Sequence, residues 1–179
     1  MKTLVIHPQD ETTDFLKPIY QSIKANVISG NCSKEEVHWQ IQQHDRVIFL
    51  GHGSPNGLFA VNQFKNEAIY SFVIDDNTAK LLKGMKNNIY IWCHADQFVK
   101  RHQLNGFYTG MFISEETEAY LFNIHPMENE VSTSNELFSR LVGSYINKSS
   151  RQLHNIINEN YKIVNSSICD FNRCRANWS

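Results

Sequence analysis

Two apolar runs in this chain each end in a side chain able to do chemistry. Val47-Ile48-Phe49-Leu50-Gly51-His52-Gly53-Ser54 places an imidazole between glycines, and Asn88-Ile89-Tyr90-Ile91-Trp92-Cys93 ends in a thiol. A thiol attacks only as thiolate, and its ordinary pKa of about 8.5 keeps it mostly protonated at neutral pH. A neighbouring imidazole removes that obstacle. In such a dyad His52 takes the proton of Cys93 and later gives it to a leaving amine, while Cys93 carries the acyl group as a thioester. The oxyanion of the acyl-transfer transition state also needs donors. The backbone N–H groups of Gly53 and Cys93 are the candidates, because glycine has no side chain to hinder close approach.

The dyad requires a scaffold that brings both run ends together. If the two runs are parallel neighbouring strands, about 5 Å apart, His52 and Cys93 meet at the carboxyl edge of a sheet, where open α/β folds place their sites. The rest of the chain suits that arrangement. Thr3 to His7 and Ala25 to Gly30 read as strands. Between them Phe15, Leu16, Ile19 and Ile23 recur at helical spacing behind Asp14, a candidate cap. Ser33-Lys34-Glu35-Glu36 has the form of a capping box before Val37 and Ile41. Leu58 to Val61 and Ile69 to Phe72 suggest small hairpin strands, and a helix from Asp76 is stopped by Gly84. A helix over Phe98 and Val99 follows Cys93, then a strand over Phe107 to Ser114 and a helix around Ala119 and Tyr120. Leu137, Phe138, Leu141, Val142, Tyr145 and Ile146 mark one face of a helix opened by Ser134. Leu153, Ile156, Ile157 and Tyr161 mark another. The expected fold class is α/β, a three-layer αβα sandwich on a mostly parallel sheet with right-handed crossovers. One domain is expected: an αβ core with the dyad over 1–125, two covering helices over 130–163 and an irregular tail over 164–179.

Bulk properties exclude several classes. With 179 residues, 41% hydrophobic and 20% charged, the chain suffices for one ordinary core. A net charge of −1 with scattered Lys and Arg argues against a nucleic-acid partner, which requires clustered positive charge. Acidic residues by Asp10 and Glu11 interrupt any signal-peptide core, and no apolar run approaches membrane-spanning length, so a cytoplasmic protein without membrane contact is expected. Cys32, Cys93, Cys169 and Cys174 contain no CxxC pair, so free thiols are expected, and no metal or other cofactor. Nothing in the sequence specifies an oligomeric state.

Each candidate also has an ordinary structural role. A cysteine ending an apolar strand is most often a small buried hydrophobe. Tyr90 and Trp92 read as core, and His38, His44, His102 and His154 as solvated helix residues. His94, beside Cys93, is a candidate auxiliary group.

An apolar strand ending in His-Gly, followed by a hydrophobic strand ending in Cys, resembles the caspase-like cysteine peptidases, the group containing caspases, metacaspases, clostripain, gingipains and separase. Gly51-His52-Gly53-Ser54 and Ile91-Trp92-Cys93 carry the resemblance, and the strand order from residue 3 to about residue 125 matches it. The resemblance implies a His52/Cys93 dyad, an oxyanion site at Gly53 and Cys93, and a peptide or protein substrate. It does not supply the substrate pocket. His94-Ala95-Asp96-Gln97 follows where caspases have a Gly shortly after the Cys, and Ile91 stands where metacaspases have an acidic residue. Asp10, Asp75, Glu115 and Glu116 are candidate carboxylates for an Arg or Lys side chain before the cut.

Two other readings compete. The first is an inactive caspase-like domain used for protein interaction. The second rests on His7-Pro8-Gln9-Asp10-Glu11, which resembles the His-Pro-Asp-Asp-Glu signature of zinc-dependent N-deacetylases. That signature's base position is Gln9 here, and the chain has no His-x-x-His to complete a metal site. The Gly-His-Gly-Ser stretch also resembles small tetrapyrrole chelatases, whose His follows the first strand rather than the third.

Overall fold

Strands that are apolar on both faces dictate a sheet covered on both sides. In the computed structural model, which describes residues 1–8, 10–30, 32–60 and 71–179, Thr3–Ile6 (β1), Arg46–Leu50 (β3), Asn88–Ile91 (β7) and Gly106–Thr109 (β8) are buried at every position. With Asn26–Ile28 (β2) and Ala176–Trp178 (β9) they form a six-stranded sheet in the order β2-β1-β3-β7-β8-β9. The pairings from β2 through β8 are parallel, and β9 runs antiparallel to β8. Gly53–Ser54 (β4), Gly57–Phe59 (β5) and Phe72–Ile74 (β6) make a small antiparallel sheet after β3. Val61, Ile69 and Tyr70, expected in its strands, lie outside the described residues.

The period of two along each strand sorts the core into two layers. Leu4, Ile6, Phe49, Tyr90 and Trp92 pack against Lys34–Gln42 (α2), Asp76–Leu82 (α3) and Ala95–His102 (α4) through Val37, Ile41, Ala79, Leu82, Phe98 and Val99. Val5, Ile48, Leu50, Ile89 and Ile91 pack on the opposite face. There they meet Leu16 of the 3-10 turn Glu11–Leu16, Ile19 of Pro18–Gln21 (α1), and Phe138, Val142, Leu153 and Ile157 of Glu130–Ser144 (α6) and Ser150–Asn160 (α7). The result is a three-layer αβα arrangement with helices on both faces of a mostly parallel sheet. Among the described residues, no helix is long and apolar enough to cross a membrane.

Several local expectations are corrected. Asp10, not Asp14, caps the first turn, while Asp14 pairs with Lys17 at 2.8 Å. Helix α6 starts at Glu130 rather than at Ser134, because the Glu130 carboxylate accepts from the Met127 amide (2.9 Å) and the Ser166 hydroxyl (2.7 Å) and anchors an earlier turn. Ser134 is instead buried inside α6, 2.6 Å from the Tyr161 hydroxyl. Strand β8 stops at Thr109, short of Ser114. Gly110 then donates to the Arg175 carbonyl at 2.8 Å, and the chain leaves for Glu116–Leu121 (α5). The tail is regular rather than irregular. Ser166 caps Ser167–Arg173 (α8) by accepting from the Cys169 amide, and β9 closes the sheet with Phe107 opposite Trp178.

Candidate functional site

The site is built where β3 and β7 run out together. Their register pairs Phe49 with Tyr90 and Leu50 with Ile91, and the Gly51 amide still donates to the Ile91 carbonyl at 3.1 Å. His52 and Cys93 each follow the last paired residue of their strand by two positions. Gly51 turns the chain with φ +139°, a conformation that side chains disfavour. Trp92 ties the two strand ends together. Its ring packs against Phe49 and Tyr90, and its indole N–H donates to the Ser54 carbonyl at 3.0 Å. From the other side, the Thr109 hydroxyl donates to the Trp92 carbonyl at 3.1 Å. Gly53 has a packing reason beyond the oxyanion role expected of it: a Cβ there would collide with the Trp92 ring and come within 2.6 Å of the Gly57 carbonyl. After Cys93 the chain bends at His94 in the left-handed conformation (φ 67°) and enters α4 at Ala95. The Cys93 thiol thus sits on a tight strand-to-helix turn.

His52, Gly53 and Cys93 line one cleft of about 580 Å³. Its other walls carry Asp10, Thr12, His94, Glu115 and Glu118. His52 Nε2 lies 2.6 Å from the Thr12 hydroxyl and 3.9 Å from Asp10 Oδ1. The Cys93 thiol donates to the Phe112 carbonyl at 3.6 Å. Burial pushes this thiol up to about 12, and the negative charges of Glu118 and Glu115 act in the same direction. Cys93 is therefore protonated at neutral pH.

The four candidate carboxylates are placed differently. Asp10 and Glu115 stand on the cleft. Asp75 caps α3 through the Asn77 and Thr78 amides and pairs with Lys34 at 2.6 Å, so its oxygens are engaged in holding two helices. Glu116 is the exposed first residue of α5. Thr12 and Glu118 escaped the sequence reading. The available signals were the Asp10-Glu11-Thr12 spacing, which suits an Asx turn, and Ser114-x-x-x-Glu118 at a helix start, where the Glu118 carboxylate accepts from the Ser114 and Glu115 amides. His94 reaches the cleft, with Nδ1 3.4 Å from the Gln97 amide nitrogen. His38, His44, His102 and His154 are each tied to a neighbour (Thr78, Gln40, Asp76 and Asn158) rather than free in solvent. Cys32, Cys93, Cys169 and Cys174 are free thiols, with Cys169 buried and Cys174 exposed.

The His7-Pro8 segment is arranged for support rather than for metal. His7 is buried, with Nδ1 3.1 Å from the Tyr20 hydroxyl and Nε2 3.2 Å from Thr13 Oγ1, so both ring nitrogens are used within the protein. Desolvation lowers its pKa to about 4, which keeps the ring neutral. Among the described residues, no three His, Cys, Asp or Glu side chains are grouped as metal ligands; Gln9, at the base position of the zinc signature, lies outside them. Comparison with known proteins gives no matching family, no matching curated protein and no matching solved structure.

Proposed function

We propose that this protein is a caspase-like cysteine peptidase that hydrolyses peptide bonds through Cys93 and His52. The observation that supports the proposal most is that His52 and Cys93, each just past the carboxyl end of one of the parallel neighbours β3 and β7, line one cleft. The sheet order and the hairpin after β3 support the same reading. In the reaction His52 takes the thiol proton, and the Cys93 sulfur attacks the carbonyl carbon. The oxyanion is met by the backbone N–H groups of Gly53 and Cys93. Collapse expels the amine, which leaves with the proton from His52. His52 then deprotonates a water that attacks the thioester, and the acid product and the thiol are released.

A second reading, an inactive domain of the same fold, is favoured by one observation: the Cys93 thiol is held protonated and donates to Phe112. Intact-mass labelling separates the two. The reduced protein is treated with peptidyl acyloxymethyl ketones bearing Arg, Lys, Asp or Asn beside the warhead. A single adduct on Cys93, lost in Cys93→Ala and in His52→Ala, is the expected result. No adduct with any of the four would leave the interaction domain as the better account.

A further inference from the structure

We propose that Asp10 and Thr12 are positioning residues for His52, and that one shared hydroxyl fixes the neutral ring as the Nε2–H tautomer with its basic lone pair at Nδ1. The inference deepens the peptidase reading and rests on His52 being its base.

The argument is a count of protons. Thr12 Oγ1 lies 2.7 Å from Asp10 Oδ1 and 2.6 Å from His52 Nε2, and it has a single proton to give. A carboxylate oxygen only accepts. Asp10 Oδ1 also takes the Thr12 backbone N–H at 2.9 Å, so the amide and the hydroxyl of one residue converge on one oxygen. With the hydroxyl proton committed there, the remaining contact is satisfied only if His52 Nε2–H donates to Thr12 Oγ1. A neutral imidazole has one N–H, so its lone pair is at Nδ1. Asp10 Oδ1, 3.9 Å from Nε2, is beyond hydrogen-bond reach of the ring and acts on it through Thr12.

A second layer holds the first. The Thr13 hydroxyl donates to the Asp10 carbonyl at 3.0 Å, which commits its only proton. His7 Nε2–H therefore donates to Thr13 Oγ1, and His7 Nδ1 accepts from the Tyr20 hydroxyl. The segment that resembles a zinc signature thus becomes an arm reaching from β1 to the base on β3: buried His7 grips Thr13, Thr13 grips the Asp10 backbone, and Asp10 and Thr12 hold His52.

The test reads the tautomer directly. Full-length protein with 15N-labelled histidine is compared by long-range 1H–15N correlation with Thr12→Ser, Thr12→Val and Asp10→Ala, and His52 is assigned by its loss in His52→Gln. Each variant is also timed for modification of Cys93 by the preferred peptidyl ketone. The expected result is Nε2–H in the wild type and Thr12→Ser, and a mixture of tautomers in Thr12→Val and Asp10→Ala. Labelling should be about 10²-fold slower in Thr12→Val, with recovery in Thr12→Ser. An Nδ1–H ring in the wild type, or a Thr12→Val protein with unchanged tautomer and rate, overturns the proposal. The tautomer is read without substrate. An Nε2–H ring lost in Thr12→Val beside a Cys93 that no probe labels would therefore uphold the positioning arm and sink the peptidase reading alone.

Discussion

His52 and Cys93 line one cleft beyond the carboxyl ends of β3 and β7, yet the Cys93 thiol donates to Phe112 and the imidazole Nε2 lies 2.6 Å from the Thr12 hydroxyl. The imidazole is tied to the segment after β1, and the thiol rests on a carbonyl of the loop after β8.

The resting thiol has a direct signature. Because Cys93 is pushed up to about 12, its alkylation by iodoacetamide in the free protein should be slow at neutral pH. The rate should climb without levelling from about pH 8 to about pH 10, since only thiolate reacts. Rates are best followed by mass spectrometry in Cys174→Ser, because Cys174 is exposed and will react first, whereas Cys169 is buried. A plateau already reached below neutrality would mean a preformed thiolate–imidazolium pair and would contradict the thiol state.

Among the described residues, the walls of the cleft carry Asp10, Glu115 and Glu118 and no Lys or Arg. A cationic side chain brought there meets complementary charge, and an acidic one meets repulsion. Among the peptidyl ketones, those with Arg or Lys should therefore label fastest. Glu118→Gln should reduce their advantage over a neutral side chain by about tenfold, or roughly 1.4 kcal/mol. The glutamine oxygen can still accept from the Ser114 and Glu115 amides, so α5 should keep its start. Faster labelling by the Asp probe would refute this preference.

The strands and the cleft position of His52 and Cys93 were legible because a buried parallel strand is a continuous apolar run, and a polar residue at its end is conspicuous. The partners of His52 were not. Asp10 and Thr12 reach it through an Asx turn and across a strand pairing, and neither leaves a periodic trace. Asp75 looked available as a carboxylate, but a residue preceding a helix is claimed first by that helix's amides, as Thr78 and Asn77 claim it. The tail escaped for a different reason. Helix α8 has too few turns to show a period, and β9 is held by backbone bonds to β8 that no side-chain pattern announces.

Gly53 can be tested apart from chemistry. Its missing side chain makes room for the Trp92 ring, so Gly53→Ala should force the hairpin away from β7 and cost about 1–3 kcal/mol of stability. Displacing Gly53 moves His52 beside it, so labelling of Cys93 should slow as well. Thermal melting and labelling rates measured on the same samples check both. An unchanged melting temperature would show that the ring has space to yield.

Acid stability reports on the arm behind the base. The native protein keeps His7 neutral down to about pH 4, whereas an unfolded histidine takes its proton near 6.5. Between those values the unfolded chain binds more protons. The contribution to stability is therefore complete above about pH 6.5 and is lost as the pH falls towards 4, amounting to about 3 kcal/mol over the interval. Glu130 adds to the same slope at lower pH. Burial alone would raise its pKa, but the Ser166 hydroxyl and the amides of Met127, Ile168 and Ser167 outweigh burial and hold it below the usual carboxylate value. His7→Gln cannot take up a proton, so the variant should show a flatter dependence between pH 6.5 and 4. Urea midpoints across that range measure the difference, and parallel curves for the two proteins would remove His7 as its source. If the arm does orient His52, labelling of Cys93 in the wild type should fall together with this loss of stability, because a charged His7 donates from both ring nitrogens and forces the Tyr20 hydroxyl to reverse from donor to acceptor.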